Sequence, residues 1–315
     1  MKIYHSLEDF SCLNNAIVTS GTFDGVHVGH QKILHRLKEI ASKNNGETVV
    51  ITFWPHPQMV LHPENHSLKL LNTFEEKAAL LKAEGIQHLL RIEFTKEFSL
   101  ISSIDFIQRI LIDTIGTKKL VIGYDHRFGH NREGSFEQLK LNATSYGFDV
   151  EEISRQDVDH ISVSSSKIRQ ALEKSGIETA THLLGKPYTL TGQVVQGDKL
   201  GRELGYPTAN IEVDSRYKLI PGDGIYAVTV KYESKIFKGM LYIGPRPTLN
   251  GTKQVIEVNI FDFNTEIYGE SITIYFHQYL RGDKKFETLE LLKQQLHLDK
   301  IEAQKILETI IFVKS

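Results

Sequence analysis

The chain has 315 residues, about twice a typical domain, so two domains are expected. Hydrophobic residues make up 40% and charged residues 24%, which excludes wholesale disorder; 37 basic against 39 acidic side chains leave a net charge of -2 and no electrostatic footprint for duplex nucleic acid or an anionic membrane. The single cysteine, Cys12, excludes an intramolecular disulfide and a multi-thiolate zinc site and suits a reducing compartment. Met1 to Phe10 lacks the apolar core of a signal peptide, and no run approaches the about 18 apolar residues of a membrane span, so a soluble cytoplasmic enzyme is expected.

The first half alternates strands and amphipathic helices. Ala16 to Ser20 is a short apolar run, and Ile33, Leu34, Leu37, Ile40 and Ala41 then share one face of a helix starting near Gly29. Thr48 to Phe53 predicts the next strand. Thr73 with Glu76 forms a capping box for a helix through Ala79, Leu80 and Ala83, which Gly85 ends before a strand at His88 to Ile92. Ile104 to Ile115 reads as a helix, Lys119 to Ile122 as a buried strand and Phe136 to Tyr146 as a helix. Strands separated by helices predict a mostly parallel sheet covered on both faces, an α/β Rossmann-like domain.

Ser166 to Leu184 reads as one helical stretch, and the pattern then changes. Tyr188 to Gln196, Ile225 to Tyr232, Phe237 to Ile243, Gln254 to Phe261 and Ser271 to Phe276 are β-rich segments separated by Gly, Pro, Asn or Asp, predicting an antiparallel barrel or sandwich. Two terminal helices, Phe286 to Leu296 and Lys300 to Phe312, complete the pattern. The expected domains are residues 1–184 and 185–315, meeting near Gly185, Lys186 and Pro187.

The strand Ala16 to Ser20 runs into Gly21, Thr22, Phe23, Asp24, Gly25, Val26, His27, Val28, Gly29 and His30, then directly into a helix. The carboxyl end of a strand is where open α/β sheets bind ligands, and a glycine-bearing turn opening a helix offers backbone N–H groups to phosphate. His27 and His30, three residues apart, can face one anion and stabilise charge developing on it. Taken alone, a capping turn with two surface histidines accounts for the string equally well.

With these residues the chain resembles the HxGH nucleotidyltransferases, and within them the adenylyltransferase half of the prokaryotic bifunctional riboflavin kinase/FAD synthetases. Thr52, Phe53, Trp54, Pro55, His56 and Pro57 resemble that family's TFxPHP element. Gly123 to Gly129 resemble GxDFxFG, with His126 in place of Phe, and Val163 to Arg169 resemble VSSTxIR. The resemblance implies nucleotide contacts at Gly21, Phe23, Asp24, Gly29, Ser164 and Ser165, catalytic roles for His27, His30 and Arg169, and flavin contacts at His56, Asp125 and Phe128. It implies attack by the FMN phosphate on the α-phosphorus of ATP, giving FAD and pyrophosphate. An ionised phosphate needs positioning and charge stabilisation rather than a strong base.

Later in the chain Gly197, Lys199 and Gly201 belong to a loop of three glycines and two basic residues running into Pro207, Thr208, Ala209 and Asn210. Alone, such a loop is a weak phosphate signal. With ProThrAlaAsn it resembles the riboflavin kinase signature, which implies that Thr208 and Asn210 hold nucleotide phosphates and Mg²⁺; a hydroxyl and an amide oxygen suit that hard cation. Periodicity alone reads Glu257 as a solvent-facing strand residue. The resemblance makes it the base that takes the proton of the ribityl hydroxyl attacking the γ-phosphorus of ATP, with Asn259 where the family more often has His. Gly244 to Thr248, Tyr268 with Gly269, and Leu280 to Phe286 match lesser elements, implying a flavin contact at Arg281. The implied enzyme makes FMN from riboflavin and FAD from FMN, both with ATP and Mg²⁺, with flavins as substrate and product. Another HxGH transferase and a non-catalytic flavin or nucleotide sensor are the alternatives; the attached PTAN segment and the intact His27, His30, Thr208, Asn210 and Glu257 argue against them.

Overall fold

The computed structural model describes residues 1–64, 68–124, 127–130, 133–153, 163–197, 201, 204–214, 216–248 and 251–310. Two compact units divide the chain, Met1–Ser165 and Ser166–Ser315.

In the first unit, strands β1 (Lys2–Tyr4), β2 (Ala16–Ser20), β3 (Glu47–Trp54), β4 (His88–Glu93), β5 (Thr117–Gly123) and β6 (Asp149–Ile153) form one sheet in the order β1-β4-β3-β2-β5-β6. Every pairing is parallel. Alternate residues of the central strands feed two separate cores: Ala16, Val18, Val49, Ile51, Leu120 and Ile122 face one, and Ile17, Val50, Leu89 and Val121 the other. That is why these strands read as continuous apolar runs.

Helices α1 (Val28–Lys43) and α3 (Phe74–Ala83) cover one face through Leu34, Leu37, Ile40, Phe74 and Leu81. The other face takes α4 (Ser103–Asp105), which continues as a wider π turn over Phe106–Ile115, and α5 (Phe136–Tyr146). The short α2 (Pro57–Leu61) follows β3. The capping box at Thr73 and Glu76 forms as the sequence predicts. The strand order reverses at β2, flanked by β3 and β5, so the glycine-bearing loop leaves the sheet at its topological switch point.

The second unit opens with α6 (Ser165–Glu173) and α7 (Ile177–Leu184). The single helical stretch expected there is corrected to two helices, because Ser175 adopts a left-handed φ of 59° and Gly176 caps α7. The chain from Ser166 on contacts the barrel: the Gly222 N–H donates to Leu172 O at 2.9 Å, and Tyr226 donates to Ser175 Oγ at 3.0 Å. Strands β7 (Tyr188–Val195), β8 (Ala209–Glu212), β9 (Gly224–Tyr232), β10 (Lys235–Thr248), β11 (Gly251–Ile260) and β12 (Ser271–Arg281) close an antiparallel barrel in the order β10-β11-β8-β7-β12-β9. The alternative of a sandwich is excluded, since β9 pairs with both β10 and β12.

The two expected terminal helices are corrected to one, α8 (Leu289–Glu308), because nothing between Leu296 and Lys300 breaks a helix. Ala303 and Leu307 pack it against Ala227, Met240 and Phe261. No helix among the described residues is long and apolar enough to cross a membrane.

Candidate functional site

Each unit holds most of one residue set, with Arg169 of the first set lying in the second unit. In the first, the β2-to-α1 loop is a strained turn: Phe23, Gly25 and Val26 have φ of 47°, 88° and 41°. Two of the three are not glycine, and such angles persist only where the surroundings fix them. Phe23 and Val26 are anchored in the core, and the Gly21 N–H donates to Ile51 O at 3.0 Å. Asp24 turns inward: its buried Oδ1 accepts the N–H groups of Leu71 at 2.9 Å and Asn72 at 3.3 Å, and its carbonyl accepts the Ser165 hydroxyl at 2.9 Å. Asp24 thus pins the loop.

His27 is the N-cap of α1. Its Nδ1 accepts the His30 N–H at 3.3 Å, and the two rings stack with centroids 3.6 Å apart. Phe23 lies against His30 with centroids 5.0 Å apart. Gly29, in the first turn, is buried beside them. His56 caps α2, its Nδ1 accepting the Gln58 N–H at 3.3 Å. Phe128 is in the core, its ring 5.5 Å from that of Phe106. Ser164 precedes α6, and Arg169 lies on that helix in the second unit, Nη1 3.5 Å from Ser166 Oγ. Asp125 lies outside the described residues, as does Lys199.

In the second unit the ProThrAlaAsn segment leads into β8. The Asn210 carboxamide occupies the space where a Cβ on Gly197 would stand, 2.0 Å from Nδ2, and a Cβ on Gly201 would meet Tyr206 O at 2.4 Å. Position 201 therefore requires glycine, since it faces backbone, whereas a side chain at Gly197 would have to push the Asn210 carboxamide aside. Register places Glu257 of β11 opposite Asn210 on one side and Tyr242 on the other. Thr208 donates its hydroxyl to Glu257 Oε2 at 3.3 Å, and Arg246 ion-pairs with Oε1. Asn259, on the same strand face as Glu257, donates to Pro207 O at 2.6 Å and holds the segment against β11. Tyr242 hydrogen-bonds Asp283 at 3.3 Å; burial and the Asp283 carboxylate push its phenol up to about 12. An open cleft beside this cluster is lined by Val194, Thr208, Ala209, Ile260, Phe263 and Tyr268, among others.

Arg281 is employed elsewhere in this unit. Its guanidinium makes a two-pronged ion pair with Asp299 on α8, Nε to Oδ1 at 2.9 Å and Nη2 to Oδ2 at 2.7 Å. Asp299 is buried and also accepts from Gln295 at 2.9 Å. Among the described residues no group of three or more His, Cys, Asp or Glu could hold a metal ion.

Residues 9–167 match the FAD synthetase family model and residues 184–307 the riboflavin kinase family model. A bifunctional riboflavin kinase/FMN adenylyltransferase from Buchnera aphidicola (Schizaphis graminum) is 38% identical over 95% of this chain and 96% of its own. The chain belongs to the bifunctional riboflavin kinase/FMN adenylyltransferase family. Its N-terminal half is a FAD synthetase domain and its C-terminal half a riboflavin kinase domain. A family member from Escherichia coli (strain K12) is 33% identical over 97% of both chains. A crystal structure named as a macrolide-efflux protein from Streptococcus pneumoniae superposes with a TM-score of 0.87 at 30% identity, covering 96% of this chain and 98% of that one.

Within this bifunctional chain, sequence reasoning gave Arg246 and Tyr242 no role beside Glu257. Arg246 stands in a segment matched as a lesser element, and the register that brings β10 against β11 is not visible in a linear pattern.

Proposed function

We propose that the chain converts riboflavin to FMN in the barrel and FMN to FAD in the α/β domain, with ATP as donor in both steps. The observation that supports the kinase half is the hydrogen bond from Thr208 to Glu257, which suits the reading of Thr208 as a phosphate-side hydroxyl and of Glu257 as the base. Glu257 takes the proton from the ribityl 5′-hydroxyl as that oxygen bonds to the γ-phosphorus and the bond to ADP breaks. Thr208 and Asn210 offer oxygen donors fitted to Mg²⁺, which also draws ligands from phosphate; when bound, the ion neutralises charge on the transferring phosphoryl group.

For adenylylation, support lies in the stacked His27 and His30 at the switch point, beside the backbone of the Gly21 to Gly29 loop. The FMN phosphate attacks the α-phosphorus of ATP and pyrophosphate leaves. The nucleophile is already ionised, so the histidines and loop amides need only hold and stabilise charge. Gly21, Phe23 and Asp24 shape that loop, with Ser164 and Ser165 read as holding phosphate; for Arg169 as a permanent cation the support is the family resemblance. For His56, Asp125, Phe128 and Arg281 as flavin contacts, and for Lys199 as a nucleotide contact, the support is the family resemblance. A division at 184/185 and a cytoplasmic location complete the reading.

The experiment is to incubate the purified protein with ATP, Mg²⁺ and riboflavin and separate the flavins by chromatography. FMN appearing first and FAD after it is the expected result; riboflavin left unchanged contradicts the reading.

A further inference from the structure

Lys77 lies on α3 with its side chain inside the first unit, 3% exposed, although its helix neighbours Phe74, Ala78 and Leu81 build an ordinary apolar core. Its ammonium donates to Thr52 Oγ1 at 3.3 Å and stands 5.7 Å from the centre of the Trp54 ring, both in the strand end that leads to Pro55 and His56. Burial pushes the amine down to about 8, against the opposing field of the Asp24 carboxylate, with which it makes no direct ion pair. A buried ammonium is costly even when paired, and the fold could fill the same volume with an unbranched apolar side chain. The charge therefore serves something other than packing.

We propose that Lys77 is a positioning residue of the adenylylation site: its ammonium donates to Thr52 Oγ1, whose hydroxyl in turn donates to Thr22 O in the strained Gly21 to Gly29 loop at 3.3 Å, and its charge acts on the Asp24 carboxylate that pins this loop to the Leu71–Asn72 backbone. Through Thr52 the same ammonium joins that loop to the strand carrying His56, so one buried cation ties together two segments that diverge from adjacent strand ends. The inference rests on the reading that this loop receives the nucleotide phosphates. Without the cation, the bond that reaches Thr22 through Thr52 and the favourable charge beside Asp24 are both lost, and the left-handed angles at Phe23 and Val26 lose part of what fixes them.

The test uses the full chain as Lys77→Met, Asp24→Asn and the double variant, with amide hydrogen exchange and both half-reactions measured on each preparation. In Lys77→Met the amides of Gly21 to His30 should exchange at least about tenfold faster while those of the barrel strands are unchanged. FAD formation from supplied FMN should fall about a hundredfold, and riboflavin phosphorylation should hold. The double variant should lose no more than Asp24→Asn alone, since the two side chains act as one unit. Unchanged loop exchange in Lys77→Met, or additive losses in the double variant, overturns the inference. So does a fall in melting temperature with faster exchange across the whole α/β sheet, which would mark Lys77 as structural only. Should the unaltered protein make no FAD while Lys77→Met still loosens the loop, the assignment of the reaction falls and the positioning role stands. Lys77→Arg, which keeps the charge, should recover part of the loop protection that Lys77→Met loses.

Discussion

His27 and His30 lie ring on ring, centroids 3.6 Å apart and planes within 13°, with the Nδ1 of the first accepting the backbone N–H of the second. That bond makes His27 both the helix cap and a member of the site. With Nδ1 accepting, the neutral ring carries its proton on Nε2, leaving that nitrogen as the donor.

The two duties of His27 can be separated. Asparagine is a good N-cap but cannot reproduce the Nε2 donor. His27→Asn should keep its melting temperature and lose about a hundredfold or more in the rate of FAD formation from FMN. Steady-state rates set beside thermal unfolding check this.

Gly201 faces the backbone carbonyl of Tyr206 so closely that it has no room for a methyl group. Gly201→Ala should therefore displace the ProThrAlaAsn segment and abolish riboflavin phosphorylation, leaving FAD formation from supplied FMN intact. Separate assays of the two half-reactions on one preparation read this directly.

Asp299 is buried and its carboxylate is satisfied by Arg281 and Gln295. Removing it leaves a half-buried guanidinium unpaired beneath α8, and breaking such a pair costs about 3 kcal/mol. Asp299→Ala should lower the stability of the barrel domain by that order in urea titration.

His277 sits half-buried in β12, Nε2 2.9 Å from Thr229 Oγ1, and burial pulls its imidazole down to about 4. The unfolded chain takes up a proton near 6.5 while the folded barrel resists until about 4. This contribution to stability is full above pH 6.5 and is lost as the pH falls from there towards 4. His277→Gln should flatten the pH dependence of barrel unfolding across that interval.

Much of this architecture was legible because strong local signals agree with the fold. Continuous apolar strands, the Thr73 capping box and the punctuated β-rich second half all correspond to elements of the structure. Strands β1 and β8 escaped, since three or four residues carry too little periodicity, and β6 escaped because Asp149, Glu151 and Glu152 break the apolar run that marks β2. The Leu296 to Lys300 region misled because a polar turn of a half-exposed helix resembles a loop. At the sites, Thr208, Asn210 and Glu257 were found through their motifs, whereas Arg246, Tyr242 and Lys77 depend on pairings between distant segments. Asp24 and Arg281 were legible as residues but not in their contacts, because the backbone N–H groups and the carboxylate they bind lie 47 and 18 residues away.

The central claim is that two chemically distinct sites act separately on one chain. Its most direct measurement is to supply riboflavin or FMN with ATP and Mg²⁺ to Glu257→Ala and to His30→Ala and quantify the flavins by chromatography. Glu257→Ala should fail to make FMN but still convert supplied FMN to FAD, and His30→Ala should accumulate FMN without FAD. Loss of both activities in either variant, with the protein folded, would contradict the account.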